Sequence, residues 1–476
     1  MNIGMILDMA ASAGSRPLIT VGDRSLTAVE LRDHARRAAL RFREYPAVLY
    51  LATSNLAYPV ALFGAVLAGV PFVPLNYRLG GQQLDALLER HPGALVLRQD
   101  DLAALVADDV PPDMEQIPTP WDGDAVAVII YTSGTTSEPK AAMLRHRHLM
   151  AYLLNTLEFG AAAETDASLV SVPPYHIAGL TNLLSNLYSG RRVVYLSTFD
   201  AADWLDTVRR ERITHAMLVP TMLARIVAEV DEDTNTPTLT SLAYGGSRTP
   251  RPVLEHALRV FPDAGFVNAY GLTETASSVA VLGPDDHRAA AASADPAERN
   301  RLGSVGRPLP GIEIEIRSET GEPVAAGEAG LVFVRGDQIS GEYGGRSALD
   351  PAGWFPTRDL GRLDADGYLF IEGRADDTII RGGENIAPAE IEDVLLEYPG
   401  ITEAAVIGVP DPEWGQRLVA VVVGTGAVAE IKQWVKDRLR SSKTPDTIVF
   451  RAELPKTETG KLLRRNLVAE LESTDA

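Results

Sequence analysis

Short runs of β-branched residues alternate with longer amphipathic stretches from about residue 27 to residue 270. This alternation is typical of an α/β domain in which helices pack on a largely parallel sheet. A helix is predicted from Ala28 to Arg43, because Thr27 and Glu30 have the spacing of a capping box. The clearest predicted strands cover residues 47–52, 125–131, 168–172, 192–196 and 265–269.

The pattern changes after a polar, alanine-rich stretch at residues 285–300. Strands separated by Gly turns follow, which predicts a small β subdomain with strands at 313–317, 331–335 and 368–372. A compact α+β module of roughly a hundred residues comes last, with strands at 404–408 and 418–423 and helices at 389–397 and 429–440. A chain of 476 residues is long for a single core. We therefore expect an α/β fold with a large N-terminal domain of layered, mainly parallel sheets, residues 1–375, and a small α+β C-terminal domain, residues 376–476.

The composition excludes several classes of function. The chain has no cysteine, so structural disulfides, thiolate metal sites and a cysteine nucleophile are ruled out. Its net charge of −20 argues against binding to nucleic acids or anionic membranes, because both select basic surfaces. The most apolar stretch, residues 58–75, is interrupted by prolines, and the first residues lack the basic region of a secretory signal. A cytoplasmic location without a membrane span is the expectation.

The loop that follows the predicted strand 125–131 carries the strongest functional signal. It is rich in Ser and Thr, contains one Gly and ends in Pro139-Lys140. Backbone N–H groups and hydroxyls of such a loop can wrap polyphosphate oxygens, and Lys140, the only lysine before Lys432, can offset their charge. The loop lacks the Walker A pattern, and an ordinary Ser/Thr turn is the alternative. The predicted phosphate contacts are Thr132, Ser133, Gly134, Thr135, Thr136 and Lys140.

This loop resembles the phosphate loop of the adenylate-forming superfamily, which comprises acyl-CoA synthetases, peptide-synthetase adenylation domains and luciferases. Further motifs in the family's order extend the resemblance over nearly the whole chain. Residues 267–275, Val-Asn-Ala-Tyr-Gly-Leu-Thr-Glu-Thr, look like the next core motif. The resemblance implies that Tyr270 stacks on adenine, Thr273 contacts the α-phosphate and Glu274 binds Mg²⁺. It also implies nucleotide contacts from Asn268, Ala269 and Gly271.

Two later motifs, residues 354–359 and 373–377, resemble the ribose-binding and hinge motifs of that family. Asp359 can accept hydrogen bonds from both ribose hydroxyls, and Arg374 can donate to them or to phosphate. Either residue alone could instead belong to a solvated loop ion pair. By the same resemblance, Asp376 is the hinge. Another strand ends in Gly245, Gly246 and Ser247, and in the family this stretch lies against adenine and the acyl group.

The C-terminal module contributes two more motifs. Residues 454–462 look like the family's last core motif, in which Lys461 serves adenylation. Attack on the α-phosphorus concentrates negative charge that a positioned ammonium can stabilise. Residues 379–386 resemble the segment that swings in for the second half-reaction of CoA ligases, where Gly382 and Gly383 allow close approach of a pantetheine arm. Two half-reactions in one pocket need different residues in turn, so the C-terminal domain is expected to be mobile.

Three further sites are ambiguous. His176 resembles a residue between the acyl pocket and the thiol tunnel, with gating or carboxylate contact as its role, although a histidine at a strand end is often structural. The run 424–429 fits a dinucleotide-binding pattern, but the module is too small for that unit, and we interpret the run as a strand-to-helix turn. Two stretches depart from the family. It usually has Gly where Ser137 stands, and it often has Ala and apolar residues where this chain has Ser247-Arg248-Thr249-Pro250.

The predicted function is that of an AMP-forming acyl-CoA synthetase, an acid–thiol ligase most similar to aryl and medium-chain CoA ligases. It would activate a carboxylic acid as an acyl-adenylate, release pyrophosphate and transfer the acyl group to coenzyme A, with ATP, Mg²⁺ and coenzyme A as cofactors. One alternative acceptor is a carrier-protein phosphopantetheine or an amine. Another alternative is a catalytically silent nucleotide-binding relative that acts through protein contacts. The acid, a homodimer and a carrier-protein partner are left open by these motifs.

Overall fold

A computed structural model describes residues 1–11, 16–107, 122–132, 139–230, 236–381, 384–412, 414–457 and 460–474. Its largest sheet has a parallel centre with antiparallel strands at both edges. In spatial order its strands are β14 (Arg307–Pro308), β13 (Ser277–Leu282), β12 (Gly265–Leu272), β11 (Ser241–Gly245), β10 (His215–Leu218), β8 (Ala167–Val170), β9 (Arg192–Tyr195), β1 (Pro17–Val21) and β2 (Arg24–Thr27). The predicted strands at 168–172, 192–196 and 265–269 are confirmed.

A second sheet contains the strand that leads into the Ser/Thr loop. In spatial order its strands are β18 (Arg346–Ser347), β17 (Glu342–Tyr343), β7 (Lys140–Arg145), β6 (Val126–Thr132), β4 (Phe72–Pro74), β3 (Val48–Leu51) and β5 (Leu95–Arg98). Strands β5, β3, β4 and β6 are parallel, and β6, β7, β17 and β18 are antiparallel. The pair β17–β18 comes from a distant part of the chain, which brings residues near 343 beside Lys140.

Helices cover these sheets and share one large apolar core with them. They are α1 (Gly4–Ala11), α2 (Ala28–Phe42), α3 (Ala57–Ala68), α4 (Gly81–Leu88), α5 (His146–Thr156), α6 (Ile177–Ser189), α7 (Ala201–Arg210), α8 (Pro220–Ala228), α9 (Arg251–Val260), α10 (Pro284–Ala292) and α11 (Pro296–Asn300). The predicted capping box of α2 is present, because the Glu30 N–H donates to Thr27 Oγ1 at 3.2 Å and the Thr27 N–H donates to Glu30 Oε2 at 2.8 Å. None of the described helices is both long and apolar enough to cross a bilayer.

The β subdomain is a four-stranded antiparallel sheet with its own apolar core. Its strands are, in spatial order, β15 (Glu313–Arg317), β16 (Gly330–Arg335), β19 (Phe355–Leu363) and β20 (Leu369–Arg374). The prediction of this subdomain is confirmed, but the sequence analysis did not identify β19 as a strand. It also did not identify α10 and α11 in the stretch 285–300, where the alanine-rich sequence has no clear apolar stripe.

The remaining elements form a compact module. It contains the hairpin β21 (Ile379–Arg381) and β22 (Glu384–Ile386), the sheet β23 (Ile401–Asp411), β24 (Gly415–Gly424) and β25 (Thr447–Arg451), and the helices α12 (Pro388–Leu396), α13 (Val428–Arg438) and α14 (Arg464–Thr474). The sheet separates two small apolar cores. Segment 424–429 joins β24 to α13, as interpreted from the sequence. A 3₁₀ turn, Ala375–Asp377, lies at the predicted domain boundary of residues 375/376, which stays a prediction.

We expect Gly64→Ala to destabilise the contact between α2 and α3. A Cβ at Gly64 would lie 2.8 Å from the Ala38 Cβ and 2.9 Å from the Phe42 ring. Overpacking of this kind costs about 1–3 kcal/mol, so the thermal unfolding midpoint should fall. Gly81→Ala is the control, because a Cβ there meets no atom within 4 Å. Equal midpoints for the two variants would contradict this account of the packing.

Candidate active site

The Asp359 carboxylate is a buried charge bound by two donors. Tyr270 donates its hydroxyl to Asp359 Oδ2 at 2.5 Å, and Arg374 Nη1 donates to Oδ1 at 2.9 Å. The pairing of β19 with β20 sets Asp359 directly opposite Arg374. Burial raises the pKa of Asp359, while the Arg374 charge and the Tyr270 hydrogen bond oppose that shift. We call these three residues the Asp359 cluster; the structure brings together the predicted adenine and ribose contacts.

Glu274 lies on a tight turn directly after β12. Thr273–Thr275 form a 3₁₀ turn, and Ala276 then adopts the left-handed conformation with φ of 51°. The Thr275 hydroxyl holds the turn, because it donates to a backbone carbonyl and accepts the Leu272 N–H at 2.9 Å. Gly271 is required here, since a Cβ would lie 2.0 Å from the Ser277 carbonyl oxygen. The turn therefore fixes the backbone that carries Thr273 and Glu274 directly after β12.

Tyr343 connects Glu274 to Lys140, a role that the sequence analysis missed. Its hydroxyl donates to Glu274 Oε1 at 2.5 Å, and the Lys140 ammonium lies 5.6 Å from its ring centroid. Burial and the Glu274 charge raise the pKa of Tyr343, so it stays protonated and donates. Pairing of Tyr343 with Ala142 across β17 and β7 creates this contact. No local motif around residue 343 could have revealed it.

The surroundings of Glu274 fit a single Mg²⁺ ion that carries phosphates. The carboxylate is 8% exposed, and Tyr343 holds one of its oxygens. Among the described residues, no group of three or more His, Asp or Glu side chains assembles into a metal site. Mg²⁺ typically takes one or two carboxylates and completes its shell with phosphate oxygens and water. Glu274 would thus orient the ion, and the nucleotide would supply most of its ligands.

The base of the Ser/Thr loop is braced from outside the predicted motif. Thr132 and Lys140 are partners at the loop end of the β6–β7 hairpin. Arg90 Nη1 donates to the Pro139 carbonyl at 2.9 Å, and His91 Nε2 forms a hydrogen bond with the Tyr131 hydroxyl at 2.8 Å. The predicted phosphate contacts Ser133, Gly134, Thr135 and Thr136, and the departure Ser137, lie outside the described residues, as do Gly382 and Gly383.

Lys461 reaches the site on a short loop. The Lys461 N–H donates to Thr457 Oγ1 at 3.0 Å, and Gly460 adopts φ of 76°. A Cβ at Gly460 would lie 2.4 Å from Thr221 Cγ2, so glycine permits close packing against the start of α8. Partial desolvation and then the Arg374 charge lower the pKa of Lys461. Three carboxylates oppose that shift, namely Asp377, Asp359 and Glu274. Lys461 is therefore within electrostatic range of the predicted nucleotide contacts.

The glycine pair after β11 lies beside β12. Gly245 is the register partner of Ala269, and a Cβ at Gly245 would lie 2.2 Å from the Ala269 carbonyl oxygen. Gly246 has φ of 88°, a conformation that favours glycine. Ser247 follows this turn. The Asn268 side chain donates to the Ser304 carbonyl at 3.0 Å, so its amide also holds the segment before β14.

His176 is the residue directly before α6. Its ring is 4.7 Å from that of Tyr175, which in turn contacts Tyr77 at 5.6 Å between centroids. Gly179 packs closely on the Pro173 carbonyl, because a Cβ would lie 2.5 Å from that oxygen. Gating or carboxylate contact by His176 stays a prediction.

Asp376 lies in the 3₁₀ turn 375–377 and is 3.6 Å from Arg358, whose φ is 64°.

Comparisons with known proteins identify the family of this chain. The family model described as AMP-binding enzyme matches residues 8–343, and the model of the AMP-binding enzyme C-terminal domain matches residues 390–461. A feruloyl-CoA synthase from an Amycolatopsis species is 36% identical, with 93% of each chain covered. A 2-succinylbenzoate–CoA ligase from Bacillus licheniformis is 33% identical, over 95% of this chain and 96% of the relative. The o-succinylbenzoate CoA synthetase structure from Bacillus subtilis with its acyl-adenylate has a TM-score of 0.84, 28% identity and 98% coverage of both chains.

We expect Tyr343→Phe to raise the Mg²⁺ concentration needed for half-maximal pyrophosphate release. The substitution keeps the ring beside Lys140 but removes the donor that orients Glu274. Loss of one hydrogen bond to a charged group costs about 1.5–3 kcal/mol, which corresponds to a roughly 10- to 150-fold effect. Tyr398→Phe is a matched control, because its hydroxyl donates to Glu430 at 3.1 Å in the C-terminal module. An unchanged Mg²⁺ requirement in Tyr343→Phe would count against the orienting role.

Proposed function

This chain belongs to the AMP-binding enzyme family, and we propose that its site activates a carboxylic acid with ATP and passes the acyl group to coenzyme A. The observation that carries the proposal is the joint placement of the Asp359 cluster, Glu274 and Lys461. Together these groups can bind the ribose, the metal-bound phosphates and the α-phosphate of one nucleotide. The enzyme is an AMP-forming acid–thiol ligase with small-molecule substrates.

The first half-reaction follows from the chemistry of these side chains. An oxygen of the substrate carboxylate attacks the α-phosphorus of ATP, the bond to the bridging oxygen breaks and pyrophosphate leaves. Asp359 and Arg374 hold the ribose, and Tyr270 presents its aromatic face to adenine. Lys461 stabilises the negative charge that develops on the α-phosphate oxygens. Glu274 would hold a Mg²⁺ ion, which would supply positive charge to the phosphates of the leaving pyrophosphate.

The second half-reaction needs a different set of residues. The sulfur of coenzyme A attacks the acyl carbonyl carbon, the bond to AMP breaks and a thioester forms. The chain itself has no cysteine, so the thiol comes from the acceptor. We assign the segment 379–386 to the approach of the pantetheine arm. Movement at the 375–377 turn would exchange Lys461 for this segment at the same pocket.

An acid that carries an aromatic ring is the proposed substrate class. The relatives named above act on ferulate and 2-succinylbenzoate, both of which contain such a ring. The ring contacts of Tyr175 with Tyr77 and His176 support this choice, because the family resemblance implies that His176 lies beside the acyl pocket. Aromatic surfaces favour aromatic ligands through offset or edge-to-face contacts. A carrier-protein phosphopantetheine is the alternative acceptor.

A matrix of acids and acceptors tests the substrate and the acceptor. Purified enzyme, ATP and Mg²⁺ are incubated with aromatic, short-chain, medium-chain and cyclic acids, each with coenzyme A, a phosphopantetheinylated carrier protein or an amine. We expect AMP and pyrophosphate to form fastest with aromatic acids and coenzyme A. An acyl-adenylate that coenzyme A never consumes would overturn the acceptor assignment. Equal rates for saturated medium-chain acids would overturn the substrate class.

Lys461→Ala is expected to separate the two half-reactions. Loss of one positioned charge at the reacting phosphate costs on the order of a hundredfold in rate, so acid-dependent pyrophosphate release should fall by about that factor. Thioester formation from supplied acyl-adenylate and coenzyme A should persist. Lys456→Ala is the control, because Lys456 lies in the same motif but pairs with Glu403 at 2.6 Å. Equal loss of both steps in Lys461→Ala would contradict the exchange of residues at the pocket.

A further inference from the structure

Arg248 joins the two parts of the chain that the proposed mechanism moves. It follows the Gly245-Gly246-Ser247 turn, and its guanidinium forms an ion pair with the Asp393 carboxylate. Asp393 lies on α12 in the predicted C-terminal domain, whereas Arg248 lies three residues before the start of α9. From the sequence, Arg248 was notable only because it belongs to a run that differs from the apolar residues common in the family. The structure supplies its partner, 145 residues away.

The Asp393 carboxylate is partly exposed, and Arg248 is its partner of opposite charge. The neighbouring carboxylates of Glu392 and Glu397 oppose the charge of Asp393, whereas the Arg248 guanidinium favours it. Glu392 is already bound by Arg464, whose Nη2 donates to Glu392 Oε2 at 2.9 Å. Arg248 is therefore the cation that offsets the charge of Asp393 in this arrangement. Separation of the pair would return both groups to water.

A second contact holds the same arrangement close by. Gly460, directly before Lys461, packs on Thr221 at the start of α8. Val219, just before α8, lies 3.9 Å from the Cβ position of Gly246. The turn that carries Arg248 and the helix start that receives the Lys461 loop are thus neighbours. Both contacts occur in the arrangement in which Lys461 is near the predicted nucleotide contacts.

We propose that Arg248 and Asp393 are positioning residues for adenylation, whose ion pair holds the C-terminal domain in the arrangement that brings Lys461 to the α-phosphate. The pair must open when the domain turns for thioester formation. This inference rests on the proposed two-step function. According to this inference, a contact outside the pocket controls the balance between the two half-reactions.

The ratio of the two half-reaction rates reports this balance. Each rate scales with the population of the arrangement that performs it, so a change in the equilibrium between the arrangements changes the ratio by the same factor. The side chains of Arg248 and Asp393 are 48% and 42% exposed. Removal of an ion pair of this exposure changes the equilibrium between the two arrangements by about two- to fivefold.

The test uses full-length Arg248→Gln and Asp393→Asn variants. Adenylation is measured as acid-dependent exchange of pyrophosphate into ATP, and the second step as thioester formation from synthetic acyl-adenylate and coenzyme A. We expect the ratio of the first rate to the second to fall about two- to fivefold in both variants. Arg251→Gln is the control, because its pair with Glu255, at 2.9 Å, lies wholly within α9. Its ratio should equal that of the unsubstituted enzyme.

A charge exchange separates positioning from a merely structural role. Arg248→Asp combined with Asp393→Arg restores the opposite charges, and we expect it to recover the ratio that each reversal alone lowers. An unchanged ratio in both neutral variants, or a lowered ratio that the exchange does not recover, would overturn the proposal. Failure of the unsubstituted enzyme to form an acyl-adenylate or to consume it with coenzyme A would instead overturn the proposed function.

Discussion

The buried Asp359 carboxylate is the interaction on which the rest of the site depends. A charge at 4% exposure is tolerated only when hydrogen bonds and an opposite charge replace its hydration. Tyr270 and Arg374 meet this need from β12 and β20, and Asp359 comes from β19. The cluster thus fastens the β subdomain to the central sheet. It also holds Arg374 in place immediately before the predicted hinge. The proposed movement therefore begins at the residue that follows the cluster.

The remaining site residues arise at strand ends and loops around this fixed point. Strands β11 and β12 are parallel neighbours, and Gly245 and the Thr273–Glu274 turn lie at or beyond their carboxyl ends. Such ends are where open α/β sheets bind ligands. Lys140 and Lys461 come from a hairpin and from the C-terminal module, respectively. Under the proposed function, strand ends orient the nucleotide, while the two lysines bring positive charge from other parts of the chain.

Much of this arrangement could be predicted from the sequence, but the contacts between distant segments could not. Alternating apolar runs predicted the sheets, and the order of motifs predicted that Tyr270, Asp359 and Arg374 act on one ligand. Tyr343 escaped because its partner Glu274 is 69 residues earlier and the contact depends on the pairing of β7 with β17. The partner of Arg248 was hidden for the same reason. Helices α10 and α11 were missed because their alanine-rich sequence carries little amphipathic signal.

The central claim is that a carboxylate oxygen attacks the α-phosphorus of ATP at the Asp359 cluster. The most direct measurement follows ¹⁸O from a doubly labelled aromatic acid through complete turnover with ATP and coenzyme A, with mass spectrometry of the products. Because the acyl–oxygen bond breaks in the second step, the account predicts AMP that carries one labelled oxygen and pyrophosphate that carries none. Label in inorganic phosphate, or AMP without label, would contradict it.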